Sequence, residues 1–170
     1  VVLAPGRVDR AAVAAQAPVA FDSSRAWEHL RQRVAIGPRP SGSAANVKTR
    51  QYITSTLAQA GIKAVEQPFE AATPNGPVKM ANLIATLPGQ RPERIILGSH
   101  FDTKLFREFR FVGASDGASS TAALLELGRV LKARDRLPFT IELLFLDGEE
   151  AVREWQGTDN TYGSRHYVEA

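Results

Sequence analysis

Leu143-Leu144-Phe145-Leu146-Asp147-Gly148-Glu149-Glu150 is the stretch on which the reading of this 170-residue chain turns. The apolar run, led in by Phe139, Thr140 and Ile141 and cut off by Asp147-Gly148, predicts a short strand walled on both faces. The end of such a strand is a rim of the fold. Two adjacent glutamates at that rim repel each other, so a cation or a shared proton is expected to offset the cost. Glu149-Glu150 is therefore the first place to look for chemistry.

Working upstream, Ser115-Asp116-Gly117 opens a helix expected over about residues 117–133 and read as the longest in the chain, with Ala123, Leu124, Leu127, Val130 and Leu131 on one face. Before it, Arg94 to Ser99 reads as a strand that delivers His100 and Asp102 to its C-terminal end. Strand, helix, strand at these lengths is a βαβ unit, so segments 95–99 and 139–147 are expected to run parallel. Ligands of such sheets bind beyond the carboxyl ends of the strands. His100, Asp116 and Glu149-Glu150 all fall on that one edge. The basic, aromatic connection from Thr103 to Gly113 is long enough to be a functional loop.

Further upstream the chain is simpler. Residues 1–20, rich in Ala and Val, lack sustained periodicity and read as an N-terminal arm, with residues 21–170 forming the folded portion. Asp22-Ser23-Ser24 offers N-caps for a helix with Ala26, Trp27, Leu30 and Val34 inward. After the break at residues 37–43, a second helix over about residues 44–60 places Val47, Tyr52, Ile53 and Leu57 inward, and Gly61 stops it. Strands follow at 63–69 and 80–87. His29, inside the first helix and away from other ligand types, reads as a packing residue.

Composition excludes several classes. Apolar residues at 44% and charged residues at 23% are ordinary for a globular protein and exclude wholesale disorder, and no run approaches the roughly 20 apolar residues of a membrane span. The net charge of +3 is dispersed, with no dense basic block of the kind that tracks phosphates, which argues against nucleic acid as a partner. Cysteine is absent, so disulfides and thiolate chemistry are excluded. A metal site must then draw on carboxylates and the three histidines, His29, His100 and His166.

Each candidate has a plainer reading as well. Asp116 is also where an N-cap would stand, Glu149-Glu150 is also a plausible solvated helix start, and His100 also suits a hydrogen-bonding role behind the site. Their convergence on one rim favours a site for a hard or borderline cation such as zinc.

Four segments carry a family resemblance: Gly98-Ser99-His100-Phe101-Asp102-Thr103-Lys104, Phe111 to Asp116, Phe145 to Ala151 with Trp155, and Thr161-Tyr162-Gly163-Ser164-Arg165-His166. Together, over about residues 30 to 170, the chain resembles glutaminyl-peptide cyclotransferases, the glutaminyl cyclases, which are relatives of the zinc aminopeptidases. The resemblance implies a three-layer α/β/α sandwich with a central mixed, largely parallel sheet, of which this chain is the N-terminal part. It implies zinc-dependent conversion of N-terminal glutaminyl residues of peptides to pyroglutamyl, with release of ammonia. By the same resemblance Asp116 and Glu150 ligate a single zinc, Glu149 is the general acid/base, and Trp155 is part of the substrate-pocket wall. His100 stands near the site and becomes a ligand only if a second zinc binds, and His166 is structural.

The third zinc ligand of such enzymes is a histidine far downstream, and further acidic residues that bind substrate also lie beyond Ala170. The chain is therefore expected to need the C-terminal remainder of the same domain, and to be inactive alone. Secreted animal relatives carry a cystine where Ser99 and Thr121 stand here, which points towards a cystine-free member. Two other functions remain open: a two-zinc aminopeptidase, and a noncatalytic binding domain of the same fold. An extracytoplasmic location, periplasmic or secreted, is what the resemblance implies.

Overall fold

A computed structural model describes residues 19–170. The expected N-terminal arm falls almost entirely outside the described residues. Strands β1 (Ala64–Thr73) and β2 (Gly76–Leu87) form a hairpin, followed by β3 (Arg91–His100) and β4 (Phe139–Leu146), in the spatial order β1-β2-β4-β3. Only Pro74 and Asn75 separate the paired residues Thr73 and Gly76. So tight a turn forces β1 and β2 to run antiparallel, because a parallel pair needs a crossover of a dozen or more residues. β3 and β4 have that crossover and pair in parallel from Ile95↔Ile141 to His100↔Leu146, as the βαβ reading requires. β2 and β4 are antiparallel, so the sheet is mixed and its parallel part is the β3–β4 pair that carries the rim.

Strand alternation sorts the two faces. Leu83, Ala85 and Leu87 of β2 and Ile141, Leu143 and Phe145 of β4 pack against Ile53 and Leu57 of α2 (Ala44–Gln59) and Leu124 and Leu125 of α3 (Ser119–Lys132). The other face receives α4 (Tyr162–Glu169), where Tyr162 joins Met80 and Ala71, and Asn82 Nδ2 donates to the Gly163 carbonyl at 2.9 Å. Helices on both faces make three layers.

The apolar-stripe expectations need correction at several positions. Asp22 caps α1 (Ser23–Ile36) as expected, accepting from the amides of Ser24 and Arg25. Trp27, however, is 63% exposed, and the buried residue of α1 is Arg33. The Arg33 guanidinium donates to the Phe101 carbonyl, as does Arg39 Nε. Burial, together with the charge of Arg39, pulls the Arg33 pKa down to about 9. In α2, Val47 is exposed while Asn46 and Thr49 are buried. α3 begins at Ser119 rather than 117, is shorter than α2, and buries Thr121, Ala122 and Glu126, whereas Ala123 faces outward. Lying between α1 and the sheet, α3 is covered on more than one side, so a single-stripe reading undercounts its buried face.

Leu143 sits at the centre of β4 with no solvent exposure. Leu143→Ala is expected to cost about 2–5 kcal/mol, through lost burial and the cavity left behind. Urea unfolding checks this, and a change below about 1 kcal/mol would contradict the packing described.

Candidate active site

The rim is built from the ends of β3 and β4, which the parallel register places side by side. β4 is followed by the turn Asp147-Gly148, with Gly148 at φ 73; a Cβ there would lie 2.4 Å from Met80 Sδ. The Asp147 carboxylate is fully buried and accepts from Ser41 Oγ (2.8 Å), Asn46 Nδ2 (2.9 Å) and the Ala81 amide (3.1 Å). Burial and the nearby Asp102 charge push its pKa up to about 6 against the pull of those bonds. The Asp147 amide donates to Asn82 Oδ1 at 3.0 Å.

Asp102, also buried, holds the next two residues. Its Oδ1 accepts from the Glu149 amide at 3.2 Å, and its Oδ2 from the Glu150 amide at 3.0 Å. No helix starts at these glutamates, so they are not a solvated helix terminus. They are displayed by backbone that two buried carboxylates fix.

Asp116 lies in a π-turn (Ala114–Ala118) with φ −91 and ψ 112, followed by Gly117 at φ 74. A Cβ on Gly117 would approach the His100 ring to 2.8 Å, so glycine is what lets this turn close over the histidine. Ala118 caps α3 with no side-chain bond, so Asp116 does not serve as its N-cap. Its Oδ1 lies instead 3.0 Å from His100 Nε2. His100 Nδ1 stands 3.4 Å from Asp102 Oδ1, an ion-pair distance.

His100, Asp116 and Glu150 each offer a ligand atom, all within 4.8 Å of one another. One imidazole and two carboxylates in that space fit a divalent cation of the zinc type. The electrostatics agree, because the cluster is short of positive charge. Burial and repulsion from Asp116 and Asp102 push Glu150 up to about 7. Burial alone would lower His100, but its contact with Asp102 and the charges of Asp102 and Asp116 prevail and push it up to about 9. Glu149 is raised by burial, with its bonds to Ser164 opposing.

These residues line one cleft of about 570 Å³ whose wall includes Glu149, Ser120 and Trp155. Asp116, Glu149, Glu150, Trp155 and His100, singled out from distant segments, thus face the same space. His29 and His166 lie elsewhere: His29 Nδ1 is 2.7 Å from the Tyr52 hydroxyl, and the His166 ring stacks on Phe69. A smaller hollow of about 230 Å³ around Gln90 and Arg136, at the opposite end of β4, gathers no comparable cluster among the described residues.

Sequence reasoning missed the residues that support the cleft. Asp159 accepts from the consecutive amides of Val152, Arg153 and Glu154 and from the Tyr162 hydroxyl, and so ties down the loop that carries Trp155. Asp147, Asp102 and Ser164 were likewise assigned no role. Asp102, Asp147 and Ser164 stand within the segments that carry the family resemblance and Asp159 lies two residues after Gly157, but a short polar side chain beside a turn is a pattern shared with any capped loop. Ser99 and Thr121, where the resemblance pointed to a cystine-free rim, are hydroxyl partners 3.0 Å apart.

The sequence profile of peptidase family M28 matches residues 82–170, more than half of the chain, and the chain belongs to that family. It is 39% identical over 159 residues to the glutaminyl-peptide cyclotransferase-like protein of Mus musculus, an alignment covering 88% of this chain and 41% of the mouse protein. The crystal structure of an Acidobacteriales bacterium glutaminyl cyclase superposes with a TM-score of 0.83 at 36% identity, covering 92% of this chain and 55% of the other. Porphyromonas gingivalis glutaminyl cyclase gives 0.79 at 28% identity, over 86% of this chain and 52% of its own. The chain thus spans about two-fifths of the length of the curated relatives it matches. Among the described residues, no helix is long and apolar enough to cross a membrane.

Asp147, Glu150 and His100 all hold protons more tightly in the folded chain than their ordinary values allow, with pKa values of about 6, 7 and 9. At these three groups the folded, metal-free protein therefore carries more protons than the unfolded chain, outnumbering the opposite shift at His29, and each of the three loses its stabilising contribution as pH rises through its folded pKa. Urea midpoints of metal-free protein are expected to fall as pH rises from about 5 to about 9. Midpoints that stay flat or climb across that window would contradict the cluster's electrostatics.

Proposed function

We propose that this chain supplies the zinc-binding carboxylates and the acid/base residue of a glutaminyl-peptide cyclotransferase, which converts an N-terminal glutaminyl residue to pyroglutamyl and releases ammonia. The observation that carries this reading is the single cleft lined by Asp116, Glu149, Glu150 and Trp155, in a chain 39% identical to a cyclotransferase-like protein.

Asp116 and Glu150 would hold the metal together with a histidine from sequence beyond Ala170. Zinc bound there supplies Lewis acidity towards the side-chain γ-carbonyl of the substrate glutamine. The remaining work falls to this chain's own groups. The α-amine of the substrate attacks its own γ-carbonyl carbon, so no enzyme nucleophile is needed. Glu149, partly buried and raised in pKa, takes the proton from that amine and returns it to the departing ammonia. Trp155, on its Asp159-tied loop, offers an apolar wall that screens the reacting amide from water. Peptides and proteins with N-terminal glutamine are the substrates. The 170-residue chain alone is inactive on this reading, and the enzyme works in an extracytoplasmic compartment.

A two-zinc aminopeptidase is the second reading, and one observation favours it: His100 lies within the Asp116–Glu150 cluster rather than beside it. There Glu149 would activate water instead of an amine.

Full-length enzyme incubated with a Gln-initiated peptide is expected to release ammonia, and to free no amino acid from an aminoacyl chromogenic substrate. One zinc per protomer goes with the cyclotransferase, two with the aminopeptidase. Glu149→Gln is expected to lower turnover by about 10²–10⁴-fold with zinc content unchanged. An active Glu149→Gln enzyme would remove Glu149 from its role, and free amino acid without ammonia would replace the first reading with the second.

A further inference from the structure

The segment Tyr162-Gly163-Ser164 takes no part in the chemistry above, yet it opens α4 directly against Glu149. The Ser164 amide donates to Glu149 Oε1 at 2.7 Å, and the Ser164 hydroxyl donates to Oε2 at 2.9 Å. One residue therefore holds both oxygens, which fixes the plane of the carboxylate as well as its position.

Ser164 is itself held in register with the glutamate turn. The Tyr162 amide donates to the Gly148 carbonyl at 2.8 Å and the Thr161 amide to the Glu149 carbonyl at 3.1 Å. Asn82 joins the two segments from below, accepting from the Asp147 amide and donating to the Gly163 carbonyl. At Gly163 a Cβ would lie 2.2 Å from the Asp147 carbonyl oxygen and 2.5 Å from Asn82 Oδ1. Only a residue without a side chain lets α4 come this close, and the closeness is what brings the Ser164 amide within reach of Glu149.

We propose that Ser164 is a positioning residue for Glu149, clamping its carboxylate in the one orientation that addresses the cleft. A glutamate side chain has several rotatable bonds and, unclamped, samples rotamers in which the carboxylate misses the substrate amine. Glu149 keeps lone pairs outside the clamp for the proton it carries, so the clamp orients the base without consuming it. The proposal rests on Glu149 being the acid/base group.

The test uses full-length enzyme. Ser164→Ala is expected to lower kcat about tenfold or more, to leave KM within about twofold, and to leave zinc content and melting temperature unchanged. Ser164→Thr, which keeps the hydroxyl, is expected to recover most of the lost kcat. An unchanged kcat in Ser164→Ala beside an inactive Glu149→Gln overturns the clamp and leaves the acid/base role standing. A fall in kcat that comes with a lower melting temperature, or that a normally melting Ser164→Thr does not recover, marks a merely structural residue and also overturns it. An active Glu149→Gln instead removes the reading beneath the proposal.

Discussion

The structure depends on the bond between one buried carboxylate, Asp102, and two consecutive backbone amides, those of Glu149 and Glu150. A carboxylate removed from water needs donors, and a turn leaving a strand has amides without ladder partners. Each satisfies the other, and the result points two glutamate side chains into a common cleft. Asp147 repeats the device one turn earlier, drawing on α2, β2 and the loop before α2. Burial and the Asp102 charge together raise the proton affinity of Asp147, and the donors around its carboxylate answer that cost.

From that join the electrostatics of the site follow. Asp102, Asp116 and Glu150 crowd negative charge around one imidazole, and the surplus shows as protons retained near neutral pH. A divalent cation is the natural counterweight, since it relieves the repulsion without asking each acid to protonate. Glu149 differs from Glu150 in its partners rather than its chemistry. Ser164 engages Glu149, whereas Glu150 faces His100 and Asp116. Adjacent identical residues can thereby take separate duties.

Much of this was legible before any coordinates. The buried run ending at Leu146 and the βαβ spacing placed β3 and β4 in parallel, and with them His100 and the two glutamates, because strand burial and crossover length are encoded locally. Asp116 was legible at the mouth of the following helix and Trp155 only through the resemblance to glutaminyl cyclases, and the arrival of both at the same cleft depends on a π-turn and on the Asp159 loop that no periodicity announces. Burial of Arg33, Asn46 and Thr49 in place of Trp27 and Val47 was hidden for a physical reason. Pattern reading ranks residues by apolarity, while these polar groups are buried because carbonyls, a carboxylate and main-chain acceptors await them in three dimensions. Ser164 escaped for the same reason, its partner lying across a helix boundary.

The most direct measurement is a crystal structure of the full-length enzyme with anomalous data collected at the zinc edge. One peak is expected about 2 Å from carboxylate oxygens of both Asp116 and Glu150, with the Asp102 oxygens still bonded to the amides of residues 149 and 150 and the Glu149 carboxylate off the metal. A peak bound by Glu149 instead, or none at the cleft of a zinc-replete active enzyme, would contradict the account.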